Sequence, residues 1–543
     1  MAVLTIKKDK FEKEIGTINE ELEEKIALFG TPIDSINEEE INIEIFPNRP
    51  DLLSYENWKC AFLLFNDSKK HPDYQLKDSK QKVIVDKSVN KVRPFCMAAI
   101  VKNVSFTDER IKEIMQFQEK IHSTIGRNRK KVAMGYYILD KIKFPIHYTA
   151  KSPKEIIFQP LEFHEKMNSI EILERHPCGV EYGHLIKNFN QFPIYIDSNN
   201  QILSLPPIIN SEELGRIDQS TKNVLIEASG TDKEILKKVI LMACIDLANC
   251  GGEIFSVDII YENKKDKINL KPIKTKFNYK NANSLLGIEI KKQEAKKLLK
   301  RMGHTLKEGV VESPPWRTDI LHEVDLIEEI AIAYGYNKFE AKIPQISTIG
   351  ESDKRELIKN KIADLLIGLE FQEISNYHLT TKEFQIDKIG RQYRDIIEVE
   401  KSKTEFNILR RDLTHYALKI LAENVDVEYP HKIFEIGKIF FKSKEEIVEE
   451  EHLSIALSPN DFTKLKQIID YIIRMLNIKV EITLPENENS YFIDGRYAEI
   501  KFNNKSIGHF GEINPEILER FKIKMPVSSL EINIEDIIKS LAR

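Results

Sequence analysis

Four carboxylates crowd one short segment of the chain: Asp319, Asp325, Glu328 and Glu329. If a helix begins at Asp325, Glu328 and Glu329 sit one turn on, near the same face. Asp319 then reaches them from the preceding strand or loop. Such a set suits a hard cation such as magnesium, which takes oxygen ligands. The same residues also spell a capping box, with Asp325 at the N-cap and Glu328 at the third helical position, where the helix dipole favours acidic groups. A second group is cationic. The run GRNRKK (Gly126–Lys131) carries four cations, which suits either phosphate contact or a solvated helix end. The usual catalytic signatures are missing: there is no GxxxxGK[ST], no HExxH and no GxSxG. The 13 histidines show no ligand spacing, and the GTD tripeptide Gly230–Asp232 is too short to carry meaning. None of the 5 cysteines forms a CxxC pair, which argues against a zinc site or a disulfide framework and suits a reducing compartment.

These groups need elements to hold them. Ile41, Ile43 and Ile45 alternate with polar residues, the pattern of a half-buried strand ending at Pro47. The polar stretch Lys69–Lys82 reads as a linker. Thr107 can cap a helix with apolar positions Ile111, Ile114, Met115 and Ile121, and Thr231 and Asp232 open a largely apolar helix ending at Gly251 and Gly252. A helix through Ala295, Leu298, Leu299 and Met302 stops at Gly303, and another runs from Asp325 to Tyr334. Helices then alternate with strands such as Lys432–Phe441 and Tyr497–Phe502, an α+β pattern with an antiparallel sheet.

The chain has 543 residues, enough for roughly three to four domains. A composition of 41% hydrophobic and 31% charged residues excludes collagen-like and wholly disordered chains. A net charge of -5 argues against non-specific coating of nucleic acid, so any such binding must use local patches. No apolar run approaches a membrane span and the start has no apolar leader core, so a cytoplasmic protein is expected.

Several longer motifs resemble one family. FPNRPDLLSYEN (Phe46–Asn57), QFQEKIHSTIGRNRKKVAMG (Gln116–Gly135), LSLPPIINSEE (Leu203–Glu213), KNVLIEASGTD (Lys222–Asp232), PPWRTDILHEVDLIEEIAIAYGYNKF (Pro314–Phe339) and the tail FIDGRYAEI…IGHFGEINPE (Phe492–Glu516) look like the beta subunit of phenylalanine–tRNA ligase in its archaeal and eukaryotic form. The resemblance runs in order along nearly the whole chain. Two places depart from the family pattern. The chain has GYYILD (Gly135–Asp140) where a GxHDLD-like string is usual, and Glu227 and Ser229 where archaeal members tend to carry Asp and Thr.

The resemblance implies an α+β multidomain architecture: an N-terminal domain (1–85), an editing double domain that meets tRNA (86–262), a helix-rich domain of nucleic-acid-binding type with the acidic motif (263–345) and a catalytic-like class II synthetase domain (346–543). It implies Asp319, Asp325, Glu328 and Glu329 as ligands of magnesium shared with an alpha subunit, and Ser211, Glu227 and Ser229 as lining an editing pocket. The implied partners are that alpha subunit, in an alpha2beta2 heterotetramer that consumes ATP, and tRNA(Phe). The implied activity is support of phenylalanine attachment by the alpha subunit, with hydrolysis of mischarged tyrosyl-tRNA(Phe). The C-terminal stretch Val527–Arg543 holds no GxGxxR, and Arg410 and Arg411 precede a helix without the accompanying synthetase pattern. The fourth region is therefore expected to dock rather than to activate an amino acid. A freestanding tRNA-binding or regulatory protein and a metal-dependent hydrolase remain as alternative readings.

Overall fold

The computed structural model describes residues 2–541 except 71, 263, 347, 392, 445 and 487. One residue of the expected linker, 71, and the last two of the C-terminal stretch lie outside these. Two units divide the chain, Met1–Ile343 and Pro344–Arg543.

The first unit begins with a three-stranded antiparallel sheet in which Glu40–Ile45 lies between Ala2–Lys7 and Ile33–Ile36. Its alternation works as read: Ile41, Ile43 and Ile45 are buried. They pack in one core with Trp58 of the helix Tyr55–Phe65, whose ring stacks on Phe62 at 5.1 Å while its indole N–H donates to Thr31. A large mixed sheet follows, in the order Ile209–Asn210, Ile202–Leu205, Phe192–Ile196, Ile146–Lys151, Leu76–Val85, Glu253–Tyr261, Phe95–Lys102, Val224–Gly230 and Val132–Ile138. Here the linker reading of Lys69–Lys82 is corrected. Its second half belongs to the strand Leu76–Val85, paired in parallel on both sides. Its lysines and polar residues stay at the surface, which is why the composition looked loop-like, while Val83 and Val85 enter the core.

Two long helices pack in the same core. Asp108–Ser123 is capped by the Thr107 hydroxyl and Lys233–Ala248 by the Asp232 carboxylate, both as the sequence suggested. Met115 departs from the expected apolar face and is exposed. The two helices are joined by Arg110, whose Nη2 meets the buried Asp246 while its Nη1 meets Glu113 at 3.1 Å; Asp246 also accepts from Ser54, the cap of Tyr55–Phe65. The rest of this unit is a small antiparallel sheet, Ile273–Lys276, Val310–Ser313 and Thr305–Lys307, packed with helices Tyr279–Leu286, Lys292–Arg301 and Glu323–Tyr334.

The second unit is built on a seven-stranded sheet dominated by the antiparallel strands His431–Ser443, Glu446–Ser458, Ser528–Asn533, Lys505–Ile513 and Phe492–Phe502. Neighbouring residues feed separate cores: Phe434, Leu453, Ile455 and Leu530 meet helices Lys354–Gly368 and Phe462–Leu476, whereas Ile433, Ala456 and Ile513 meet Thr414–Glu423 and Pro515–Phe521. This is the two-residue period of a strand buried on both faces. Among the described residues no helix is long and apolar enough to cross a membrane. Asp246→Ala, which removes the buried carboxylate facing Arg110 and leaves it with Glu113, is expected to cost roughly 3 kcal/mol, read as a lower denaturant midpoint with an unchanged m-value.

Candidate functional site

The sheet of the first unit carries a cavity of about 160 Å³. Its walls include Met115, Glu119 and His122 from the helix Asp108–Ser123, Arg129 from GRNRKK, Pro206, Pro207 and Asn210 from the PPIIN stretch, and Glu227. The strand Val224–Gly230 places Glu227 between Ala98 and Gly135 of its two neighbours. The side chain is 5% exposed. Tyr137 donates to its Oε1 at 2.9 Å, while Oε2 has no hydrogen-bond partner. Burial pushes the Glu227 carboxyl up to about 7, against the Tyr137 hydrogen bond, the neighbouring Tyr195 hydroxyl and the charge of Arg93.

The other two residues named with Glu227 stand apart from the cavity wall. Ser229, two residues along the same strand face, is fully buried. Its hydroxyl accepts from Arg93 Nε at 2.9 Å and its carbonyl from Arg93 Nη2 at 2.6 Å. Ser211 follows the lining residue Asn210, and its buried hydroxyl has no partner. Residue-by-residue reading missed the walls. His122 accepts the Met134 N–H at Nε2, 2.9 Å away, and faces Glu119 with Nδ1. Burial lowers its proton affinity, so it stays neutral. Arg129 is the inward member of the cationic run: it donates to Ile208 O at 2.7 Å and Glu119 at 2.8 Å, and its guanidinium lies over the Tyr182 ring at 4.2 Å. Arg127, Asn128 and Arg129 all have positive φ, 50°, 51° and 62°. A left-handed conformation costs roughly 1–2 kcal/mol per residue, so Arg129's bonds help to hold the turn. The phosphate reading of GRNRKK is thus left to the exposed Arg127 and Lys130.

The acidic motif folds differently from its expected convergence. The helix starts at Glu323, two residues earlier than read. His322 is the N-cap and Asp325 closes the capping box, its Oδ2 accepting the N–H groups of Leu321 and His322 at 2.7 Å each. Arg317, 2% exposed, is the cation of the cluster. Its Nε and Nη2 meet both oxygens of Asp319 at 2.8 and 2.6 Å, and its Nη1 and Nη2 meet those of Glu329 at 3.1 and 2.8 Å. His304 Nε2 adds a bond to Glu329 at 3.0 Å while Ser313 contacts its Nδ1. Burial pushes Glu329 upward, but Arg317 and His304 outweigh it and hold the carboxyl well below its usual range. Among the described residues no group of three or more metal-binding side chains comes together. Asp319 and Glu329 therefore do not fit a magnesium ion, since Arg317 already occupies their oxygens. Asp325 and Glu328 are the two that remain toward the outside.

In the second unit, Arg410 is fully buried. It donates to Glu435 at 2.6 Å and to the carbonyl of Lys438 at 2.7 Å. Arg411 donates to Asp395 at 2.9 Å. The Arg410 guanidinium is thus committed inside the fold, whereas among the described residues Arg411 is held through Nε alone and lines a polar pocket with Arg391, Arg394 and Asp395.

Arg317→Met, which leaves two buried carboxylates without their cation, is expected to cost roughly 3–5 kcal/mol, whereas excess chelator is expected to leave the wild-type melting curve unmoved. Because Glu227 binds its proton more tightly folded than unfolded, its stabilising contribution is complete below pH 4.5 and is lost as pH rises through about 7. Glu227→Gln is therefore expected to gain on the wild type above neutrality, approaching roughly 3 kcal/mol, in melts run across pH.

Two family models match the chain: the tRNA synthetase B5 domain over residues 275–336 and the phenylalanyl tRNA synthetase beta chain CLM domain over residues 339–534. The phenylalanine–tRNA ligase beta subunit of Archaeoglobus fulgidus is 34% identical, covering 98% of each chain. That of Methanosarcina barkeri is 34% identical over 99% of each, and that of Pyrococcus abyssi 36% over 89% of each. An N-terminal fragment of the phenylalanyl-tRNA synthetase beta subunit from Pyrococcus horikoshii superposes with a TM-score of 0.59 at 34% identity, covering 61% of this chain and 99% of that one. With the motifs in order and the likeness running end to end, the chain belongs to the phenylalanine–tRNA ligase beta-subunit family.

Proposed function

We propose that the chain is the subunit that completes a phenylalanine–tRNA ligase without itself activating phenylalanine. Its partner is an alpha subunit that uses ATP, in an alpha2beta2 heterotetramer that binds tRNA(Phe) in the cytoplasm. The observation that carries this reading is the commitment of the buried Arg410 to Glu435 and to the Lys438 carbonyl, set beside membership of the family. Amino-acid activation develops charge on phosphate, and fixed cations must meet it. Arg410 is already spent on the fold, and in this proposal the activating charges come from the partner. Magnesium enters this reading with ATP on the partner, not as an ion held by Asp319 and Glu329.

The first unit, in the same proposal, hydrolyses mischarged tyrosyl-tRNA(Phe) at the cavity beside Glu227. Tyrosine differs from phenylalanine by one hydroxyl, which an apolar pocket rejects only by about 10². A second site with a buried acceptor for that hydroxyl supplies the rest, and Glu227 Oε2, buried without a partner, supports that role. Ser211 and Ser229, expected to position the ester or a water, stand outside the cavity wall, and Ser229 holds Arg93.

The isolated chain is expected to give no phenylalanine-dependent pyrophosphate exchange, with exchange appearing on reconstitution with the alpha subunit. Robust exchange by the chain alone would rule the reading out. In the complex, Glu227→Ala is expected to slow tyrosyl-tRNA(Phe) hydrolysis by at least about tenfold, as for loss of a hydrogen bond to a charged group, with phenylalanine charging nearly unchanged. Unaltered hydrolysis would remove Glu227 from the site.

A further inference from the structure

Glu227 is faced from four directions. Tyr137 comes from the strand Val132–Ile138, Tyr195 from Phe192–Ile196, Asn210 from Ile209–Asn210, and Arg93 from just before Phe95–Lys102. Arg93 is the sole cation among them, and its guanidinium is committed to Ser229 and to the carbonyl of Lys130. The carboxylate thus has no ion-pair partner, and its orientation rests on Tyr137. That hydroxyl stands 2.9 Å from Glu227 Oε1 and 3.0 Å from Asn210 Oδ1. Room for it comes from Gly135, the residue opposite Glu227 in the ladder. A Cβ there would lie 2.8 Å from the Tyr137 hydroxyl and 3.0 Å from the Asn210 amide. The two departures from the family pattern, the string GYYILD and Glu227 itself, meet at this one hydrogen bond.

We propose that Tyr137 is a positioning residue that sets specificity in this cavity: by occupying Oε1 it leaves Oε2 of Glu227 as the acceptor for the phenolic O–H of an aminoacyl ester. The proposal rests on the hydrolytic reading of the cavity. The Tyr137 hydroxyl stays protonated, since burial and the Glu227 charge raise its proton affinity well above the ordinary tyrosine value. Its single proton has two acceptors in reach, and the ionised Glu227 Oε1 at 2.9 Å draws it more strongly than the neutral Asn210 Oδ1 at 3.0 Å. While Oε1 accepts from the Tyr137 hydroxyl, an ionised Glu227 offers Oε2 as an acceptor. Once Glu227 is protonated, the proton sits on Oε2 and turns it into a donor. Preference for the phenol-bearing ester therefore rises as pH climbs through neutrality.

The test is steady-state hydrolysis of tyrosyl-tRNA(Phe) by the reconstituted complex from acid to mildly alkaline pH. Tyr137→Phe is expected to lower kcat/KM on the order of tenfold, mainly through KM. Its pH midpoint should move up by roughly one unit, because a hydrogen bond to the ionised form is lost. Glu227→Gln should flatten the profile, and the double variant should be no worse than Glu227→Gln alone. A Tyr137→Phe profile that superimposes on the wild type, or additive losses in the double variant, overturns the proposal. If the wild-type complex fails to hydrolyse the ester, the hydrolytic reading falls. The positioning claim is then decided by infrared titration of the Glu227 carboxyl in the full chain: an upward shift in Tyr137→Phe supports it and an unmoved titration overturns it. Melting curves of each variant identify any failure to fold.

Discussion

A carboxylate removed from water must meet a cation or take up a proton, and this chain answers that demand repeatedly with arginine. Arg110 meets Asp246 where two long helices join the N-terminal layer. Arg317 meets Asp319 and Glu329 at the base of the acidic motif. Arg410 meets Glu435 inside the second unit. The planar fork suits each place because one guanidinium can satisfy several fixed acceptors at once. Glu227 is the contrast. Its nearest arginine is spent on Ser229, so the carboxyl is left with a hydrogen bond from Tyr137 and keeps its proton to about neutrality.

That rule also redistributes function. An arginine that neutralises buried carboxylates has fewer donors left for a ligand, so motifs rich in charge can be committed to the fold. Asp319 and Glu329 of the acidic motif and Arg410 are of this kind, whereas the cavity beside Glu227 keeps an unmet acceptor. The chemistry of the chain thus concentrates where electrostatic compensation is incomplete.

Local signals were readable because they need only neighbours in sequence. The caps at Thr107 and Asp232 and the alternation of Ile41, Ile43 and Ile45 follow from nearby residue types, and the α+β class follows from their succession. What could not be read depends on distant partners. The strand Leu76–Val85 hides among lysines because its pairing comes from Glu253–Tyr261 and Ile146–Lys151. The start of the acidic helix moved to Glu323 because a histidine, a residue seldom read as a cap, took the N-cap. Glu227 was picked from its motif, but Tyr137 and Asn210, which surround it, lie on separate strands far along the chain. Ser229 was named beside Glu227, yet its hydroxyl is claimed by Arg93 from another segment.

The left-handed turn at Arg127–Arg129 leaves a signature in tolerance to substitution. Glycine pays no steric penalty at positive φ, while alanine and every β-branched residue do. At Arg127 and Asn128, whose side chains are exposed, the usual hierarchy of surface replacements is therefore inverted, with glycine ahead of alanine. At Arg129 the inversion fails, because the guanidinium that ties Glu119 to Ile208 O is lost with any change. Three adjacent positions of one backbone conformation would separate, in a saturation scan, into two governed by the main chain and one governed by its side chain.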